Sequence, residues 1–517
     1  MEKKIDADIA LYLLTLAGLI LAGSLIRLSN LDSGSAWHDY DEGVHLSASL
    51  LLTKGYTPYV DFFFAHPPLS LHMLGLVVGE GGGQAYTHAR MISATLSSLT
   101  LVALAAAAYL SLGKAAALAG TAFLAFDGFA AYNSRMVMLE PYVDFFLSVS
   151  LLCYVLLVRC RSTSQEFFTS ALSGLALGLA LSSKISSLFG IAAMLLHSII
   201  FRRIRVTLII AAAAVSTYLL VSARYLLADA DLYLRQTVLF HVVRPPDGVP
   251  HSERLRWVLT SFLDLGVVWA GAPALIIAIL LTPRLVRSKT VPREAYIWIM
   301  WSLAYLLAFS TTKTFFGHYI QHLITPLSYV AAMPLEYALK LKTPPWKASA
   351  AYLFPTKILP VWLVSMLILQ TGIISVVYPP SARDDTPMEV SRRLTELGAT
   401  GSSIIAFEPI YTFLSGTYPS NTVIDSYGYM MFEGMNLGRN KLFEALLKYL
   451  SGDLYDSWPI YNEKVQEKIT GDILTSRFII IDWRARWQLT DENLYKIYQH
   501  SNCLTRVRDI EICMISQ

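Results

Sequence analysis

The chain is 517 residues long, 54% hydrophobic and only 15% charged, with a formal charge of +3 and a mean hydropathy of +0.48. Soluble domains carry about 25% charged residues, so this composition excludes a purely cytosolic enzyme, along with intrinsic disorder, collagen-like repeats and a disulfide-dense secreted scaffold. Basic residues are scattered rather than massed, which gives no basis for a nucleic-acid partner and leaves membrane lipids as the expected surroundings.

A membrane-crossing helix takes about 20 mainly apolar residues. Such runs recur at 9–27, 90–110, 115–131, 142–158, 167–181, 188–201, 206–227, 259–281, 294–310, 318–334 and 358–377. The fold class expected is therefore an α-helical polytopic membrane protein of about eleven spans. The first run is too long for a cleaved signal peptide and lacks a small-residue cleavage site. Short loops rich in Lys and Arg, such as those holding Arg202, Arg203 and Arg205 or Arg284, Arg287, Lys289 and Arg293, read as cytoplasmic. The opposite loops are longer and carry Asp32, Asp39, Asp41, Glu42, Asp61 and Glu140. An odd number of spans then puts the N-terminus in the cytoplasm and everything after Tyr378 outside.

At Tyr-Pro-Pro (378–380) the composition changes. Charges become frequent and β-rich runs appear at 403–407, 422–425 and 477–482, with helical stretches at 388–398 and 440–450. The expected division is a transmembrane domain at 1–378, whose first outer loop covers about 28–89, and a soluble extracytoplasmic α/β domain at 379–517. Cys503 and Cys513 flank a hairpin centred near Arg508 and Asp509, so in an oxidising exterior they are a disulfide candidate. Cys153 and Cys160 read as packed thiols in or near the fourth span.

Five polar segments stand out, all on the outer side. The first, HDYDEGVH at 38–45, crowds Asp39, Asp41 and Glu42. Such carboxylates raise one another's pKa, bind a cation or meet cations from elsewhere, and one placed against a hydroxyl is a general base. A solvated loop with an Asp cap on the helix that follows accounts for them equally. Glu42 and His45 share a helix face, so with Glu140 a divalent metal is conceivable. The second segment is YVDFFFAHPPL at 59–69, where the two prolines can open a helix and leave His66 at its mouth. The third, NSRMVMLEP at 133–141, holds Arg135, suited to a phosphate or to an ion pair with Glu140. The fourth, GLALGLALSSK at 174–184, combines small residues for close helix packing with the lone cation Lys184. The fifth, KTFFGHYIQH at 313–322, brings Lys313, His318, Tyr319 and His322. Acids and phosphate-capable groups gathered at one face suit a substrate with a phosphate head and a hydrocarbon tail.

In these five segments the sequence resembles the GT-C polytopic glycosyltransferases that use polyprenyl-phosphate sugars, and within them the branch of protein O-mannosyltransferases and lipid A aminoarabinose transferases. Asp41-Glu42 looks like that branch's Asp-Glu pair, HPPL at 66–69 like the mannosyltransferase HPPL, SRMVMLEP at 134–141 like a Ser-Arg…Leu-Asp motif with Glu140 in place of Asp, and HYIQHLITP at 318–326 like its His-Tyr-Leu-x-Pro run. The resemblance covers about residues 1–380; a β-trefoil insertion and the oligosaccharyltransferases' WWDYG motif are missing.

The resemblance implies an inverting transfer of a sugar, mannose favoured, from a polyprenyl- or dolichyl-phosphate donor to a hydroxyl of a protein, lipid or glycan. Asp41 would be the general base and Glu42 would orient it or the acceptor. Arg135, Lys184, His66, His318 and Tyr319 would hold the leaving phosphate, with Asp39, Asp61, Glu140 and Lys313 in support. No cofactor is required, although a divalent metal fits the acids. A lipid-linked sugar transporter would need charges at mid-membrane, and a non-catalytic glycan-assembly protein would not need the acids.

Overall fold

The structure, a computed structural model, describes residues 2–32, 39–201, 203–247, 249–264, 292–340, 385–419, 424–451, 454 and 458–516. In chain order the helices are α1 (Glu2–Arg27), α2 (Tyr40–Thr53), α3 (Leu69–Gly75), α4 (Gly83–Ser111), α5 (Lys114–Ala125), α6 (Gly128–Asn133), α7 (Glu140–Leu156), α8 (Thr163–Ser183), α9 (Leu188–Ile200) and α10 (Ile204–Leu234). Helices Tyr296–Thr311 and Gln321–Lys340 follow. Among the described residues, five segments are long and apolar enough to cross a membrane: Asp8–Arg27, Gly83–Ser111, Glu140–Arg159, Thr163–Ser183 and Ile204–Val243. The span read at 358–377 lies outside the described residues, as does the one at 259–281 beyond Asp264, where the helix His251–Asp264 ends.

The run read as one span at 115–131 is two helices. α5 stops at Ala125, and the Asp127 carboxylate accepts from Ala130 N at 2.7 Å to start α6. A side chain that satisfies free N–H groups favours a new start over continuation. The freed carbonyls at the end of α5 are met by Arg27, which donates to Ala125 O and Leu124 O at 2.8 Å and locks α1 against α5.

The small residues of α8 serve close packing as expected. A Cβ on Gly174 would collide with the Ile210 carbonyl, and one on Gly178 would stand 2.5 Å from Ala214 O, so α8 and α10 touch backbone to backbone. α10 breaks at Asp229 (φ −160°, ψ 92°), whose side chain accepts from Leu232 N at 2.9 Å.

The C-terminal domain is a five-stranded sheet in the order β2-β1-β3-β5-β4, with β1 Ser403–Ala406, β2 Tyr418–Pro419, β3 Phe478–Ile481, β4 Ser501–Val507 and β5 Ile510–Ile515. β2, β1 and β3 run parallel and the β4–β5 hairpin is added antiparallel. β3, Phe-Ile-Ile-Ile, is buried along its whole length, as a strand covered on both faces must be. The expected hairpin turns at Arg508 (φ 54°), and Cys503 and Cys513 are register partners joined by a disulfide. The strand read at 422–425 is not one: Ile424 and Asp425 lie in a turn, 422 and 423 fall outside the described residues, and the pairing strand is Tyr418–Pro419. Asp425 is diverted to capping, accepting from Gly428 N at 2.8 Å.

The segment from α2 to the start of α4 is held between these two bodies. On one side a Cβ at Gly43 of α2 would stand 2.6 Å from Ile410 N, so only glycine admits the α/β domain this closely. Phe63 packs between Phe240 at the end of the transmembrane helices and Phe432 of the α/β domain, at 5.3 and 5.2 Å. Leu442 N donates to Asp231 at 2.9 Å, a second tie between the domains.

Candidate active site

α2 carries the acids of the first outer loop, and its start follows from local chemistry. Asp39 accepts from Asp41 N at 3.0 Å, so the helix-cap reading is correct for Asp39. The two residues after Tyr40 then face opposite environments. Glu42 is fully buried and all its lone pairs are used: Arg90 Nε and Nη2 donate at 2.8 and 2.6 Å, Tyr86 OH at 3.0 Å and Val137 N at 2.8 Å. One turn on, His45 Nδ1 meets Val137 O at 2.9 Å, so α2 grips both sides of the Val137 peptide unit. Asp41 instead keeps 34% of its side chain exposed, and His318 Nε2 stands 3.7 Å from its Oδ2. Burial pushes the Asp41 carboxyl above its ordinary pKa, opposed by Lys184 and reinforced by Glu140. Asp39 is raised to about 6 by burial and by Asp41.

Behind His318 lies a buried ion pair. Lys184 Nζ donates to Glu140 Oε1 at 2.6 Å, both side chains being almost wholly enclosed, and the same ammonium lies 4.4 Å from the Tyr319 ring centroid. Lys184 stands where α8 ends, and the turn that follows is fastened by Ser186 on His322, itself held by Asp144 at 2.7 Å. His318 Nε2 is 3.9 Å from Glu140 Oε1 and, with Glu140 Oε2, makes no hydrogen bond among the described residues. Buried polar atoms left open in this way are expected to meet a bound group.

His66 is where the sequence places it, ahead of the Pro67-Pro68 start of α3. Its ring stacks on His241 at 5.3 Å and 21°, and its buried Nδ1 has no partner among the described residues. Burial takes this imidazole well below its usual pKa, which favours the neutral ring with one N–H donor.

Other assignments change. The ion pair read between Arg135 and Glu140 does not form, because Lys184 takes Glu140; Arg135 is largely buried beside Arg90 and Tyr132. Asp61 accepts from Thr57 N within its own exposed turn, and Lys313 lies over the Tyr449 ring at 4.1 Å, tying the two domains together. The metal set of Glu42, His45 and Glu140 is not assembled: Glu42 is consumed by Arg90, Tyr86 and Val137, His45 Nδ1 by Val137 O and Glu140 Oε1 by Lys184. Asp39, Asp41 and His318 come together in its place, with ligand atoms within 4.8 Å of one another. Two carboxylates and an imidazole suit a divalent cation by donor chemistry.

Residues far along the chain complete the site. Arg244, which follows the transmembrane segment ending at Val243, acts on Asp41 and His66 and lies over Phe316 at 5.5 Å; its buried Nε has no partner among the described residues. Its one sequence signal is the Arg-Pro-Pro at 244–246, a counterpart of His-Pro-Pro. From the α/β domain, Asp425 accepts from Tyr40 OH at 3.1 Å, and Arg484 acts on Asp41 and pairs with Glu408 at 2.6 Å.

Residues 54–239 match the family described as Dolichyl-phosphate-mannose-protein mannosyltransferase. Among solved structures, ArnT from Cupriavidus metallidurans in the apo state is similar with a TM-score of 0.64 at 12% identity, covering 98% of this chain and 98% of that one. The same protein bound to undecaprenyl phosphate gives 0.57 at 13% identity over 96% and 97%. The archaeal oligosaccharyltransferase AglB from Archaeoglobus fulgidus, in complex with an inhibitory peptide and a dolichol-phosphate, gives 0.52 at 10% identity over 91% of this chain and 69% of that one. No curated protein matches the chain.

Proposed function

From the GT-C fold that this chain shares with the O-mannosyltransferase and ArnT-like branch of membrane glycosyltransferases, we propose that it transfers a sugar, mannose favoured, from a polyprenyl-phosphate donor to an acceptor hydroxyl. The observation that carries the reading is the division between two adjacent acids: Glu42 is consumed in the scaffold, while Asp41 remains partly exposed beside a nest of Lys184, His318 and Arg244.

Asp41 takes the proton of the acceptor hydroxyl as its oxygen attacks the anomeric carbon. The bond from that carbon to the phosphate oxygen breaks from the opposite face, giving inversion. The electron pair leaves on the polyprenyl phosphate, so no strong general acid is needed. Lys184 and Arg244, with N–H donors from His66 and His318, hold the leaving phosphate, and Tyr319 fixes the Lys184 ammonium from below. Asp39, Asp41 and His318 would hold a divalent cation, which would supply positive charge to the leaving phosphate. Binding of undecaprenyl phosphate by the Cupriavidus ArnT and of a dolichol-phosphate by AglB is in keeping with this donor class.

The N-terminus is assigned to the cytoplasm and the α/β domain to the outside. The Cys503–Cys513 disulfide supports that side, because such bonds persist in oxidising compartments.

The test is transfer by purified protein in lipid, with a panel of radiolabelled polyprenyl-phosphate sugars and with and without chelator. One donor should be consumed and Asp41→Asn should abolish turnover while leaving donor binding intact. Turnover retained by Asp41→Asn removes Asp41 as base.

A further inference from the structure

Next to Asp41 the α/β domain presents a strip of planar groups that donor binding leaves unused. Tyr40 lies between Asp39 and Asp41 in the chain, and the Arg484 guanidinium stands 4.1 Å from its ring centroid. The other neighbour of that guanidinium is Trp483, at 4.5 Å. Trp487 follows on the same short helix, Trp483–Gln488, with its ring 6.3 Å from that of Trp483 and inclined by 23°. Tyr427 then stacks on Trp487 at 5.5 Å and 19°. The run begins at Tyr40, the residue before the proposed base, and includes two indoles that are 55% and 42% exposed.

Two polar groups of the strip have hydrogen-bonding capacity to spare. Glu408, only 5% exposed, gives Oε2 to Arg484 Nε at 2.6 Å, but its buried Oε1 has no partner among the described residues. The Arg484 Nη groups make no hydrogen bond among the described residues either. A buried carboxylate oxygen without a donor costs free energy unless a ligand supplies one.

We propose that Tyr40, Arg484, Trp483, Trp487 and Glu408 form an acceptor subsite for a carbohydrate chain, whose terminal sugar hydroxyl is delivered to Asp41. A sugar ring has an apolar C–H face that fits a flat indole, and a rim of hydroxyls that both donate and accept. One sugar hydroxyl donates a hydrogen bond to Glu408 Oε1 and Arg484 Nη donates one to another hydroxyl oxygen, while the ring rests on Trp487 or Trp483. A hydrocarbon chain would leave the Glu408 and Arg484 atoms unsatisfied. An extended peptide would gain little from two exposed indoles facing the same way. The inference deepens the transferase reading and rests on it for the role of Asp41.

The experiment uses the full chain in lipid nanodiscs, titrated with neutral trisaccharides of mannose, glucose and galactose and, separately, with a Ser- and Thr-containing peptide. Binding is followed by calorimetry and saturation-transfer NMR. At least one trisaccharide should bind wild type and Asp41→Asn alike, since binding precedes proton transfer. Trp487→Ala should weaken it by about tenfold, a loss of about 1.4 kcal/mol, Trp487→Phe should restore most of it, and Glu408→Gln should weaken it while donor affinity holds. Because Asp41→Asn is scored on binding here and on turnover in the transfer assay, failure of the base assignment leaves this result readable. No binding by any trisaccharide, or binding indifferent to Trp487→Ala, overturns the proposal. A peptide that binds in their place with the same Trp487 dependence reassigns the strip to a polypeptide acceptor and overturns it too.

Discussion

Glu42 and Arg90 are joined at both ends of the carboxylate, at 2.8 and 2.6 Å, with 0% and 2% of their side chains exposed. Removing one partner leaves the other as an uncompensated buried charge, which costs about 3–5 kcal/mol. Glu42→Gln should therefore lower thermal stability strongly and, through the looser α2, reduce kcat. The double variant Glu42→Leu/Arg90→Met should recover much of the stability but none of the lost turnover. A thermal melt and a transfer assay on the same three proteins decide it; a stable, fully active Glu42→Gln would show that the pair is dispensable.

Arg244 and Arg135 make opposite predictions. Arg244 acts on Asp41 and His66 and has an unmet donor, whereas Arg135 lies beside another cation, Arg90, whose own carboxylate partner is Glu42. Loss of a charge-assisted hydrogen bond costs about 1.5–3 kcal/mol. Arg244→Ala should thus weaken binding of polyprenyl phosphate by at least about tenfold, with Arg135→Ala well behind. Equal losses in a direct binding assay would return Arg135 to the phosphate site.

The pH dependence has two parts. Turnover needs ionised Asp41, whose pKa is raised by burial, so the acid limb of kcat should lie above the ordinary aspartate value of 3.8. Stability has opposing contributions. Burial raises Asp39, Asp425 and Asp482 to about 6 and Glu408 to about 7, so these four acids keep protons in the folded state that the unfolded state has lost, and their contribution falls as pH rises between 4 and 7. His45 and His66, lowered by burial, contribute in the opposite sense. Chemical denaturation of wild type and Glu408→Gln at pH 4.5 and 7.5 isolates the Glu408 share: the stability of the variant relative to wild type should rise with pH.

The Cys503–Cys513 bond closes a loop of 10 residues in sequence separation, for which chain-entropy arguments give about 2–3 kcal/mol. Reduction, or Cys503→Ser with Cys513→Ser, should lower the melting temperature of the α/β domain without changing donor affinity, because the hairpin lies at the far edge of the sheet from β1 and β2. A change in donor affinity would tie the hairpin to the site.

Local chemistry was readable along the chain, and long-range pairing was not. Pro67-Pro68 opening α3, Gly174 and Gly178 packing on α10, and the hairpin cysteines each follow from residues within one element and its neighbour. Glu140 was visible as an acid near Arg135, but its partner, Lys184, is 44 positions away. Proximity in sequence favoured the wrong cation. Arg484 carries no motif of its own and Arg244 only the Arg-Pro-Pro at 244–246, and Tyr40 meets Asp425 across 385 positions, a contact that only the packed α/β domain creates. Of two adjacent acids, spacing could not decide which is enclosed; that depends on Arg90 of α4, 48 positions away.

The Val137 peptide unit is held through atoms that every residue but proline possesses: its N–H by Glu42 and its carbonyl by His45. Side-chain scanning would therefore pass over the hinge pin of the whole assembly. Val137→Ala should register as an ordinary loss of core volume, whereas Val137→Pro, which deletes one N–H, should unseat α2 and carry Asp41 out of reach of its partners. What position 137 requires is therefore a main-chain N–H and an apolar side chain that fills the same buried space.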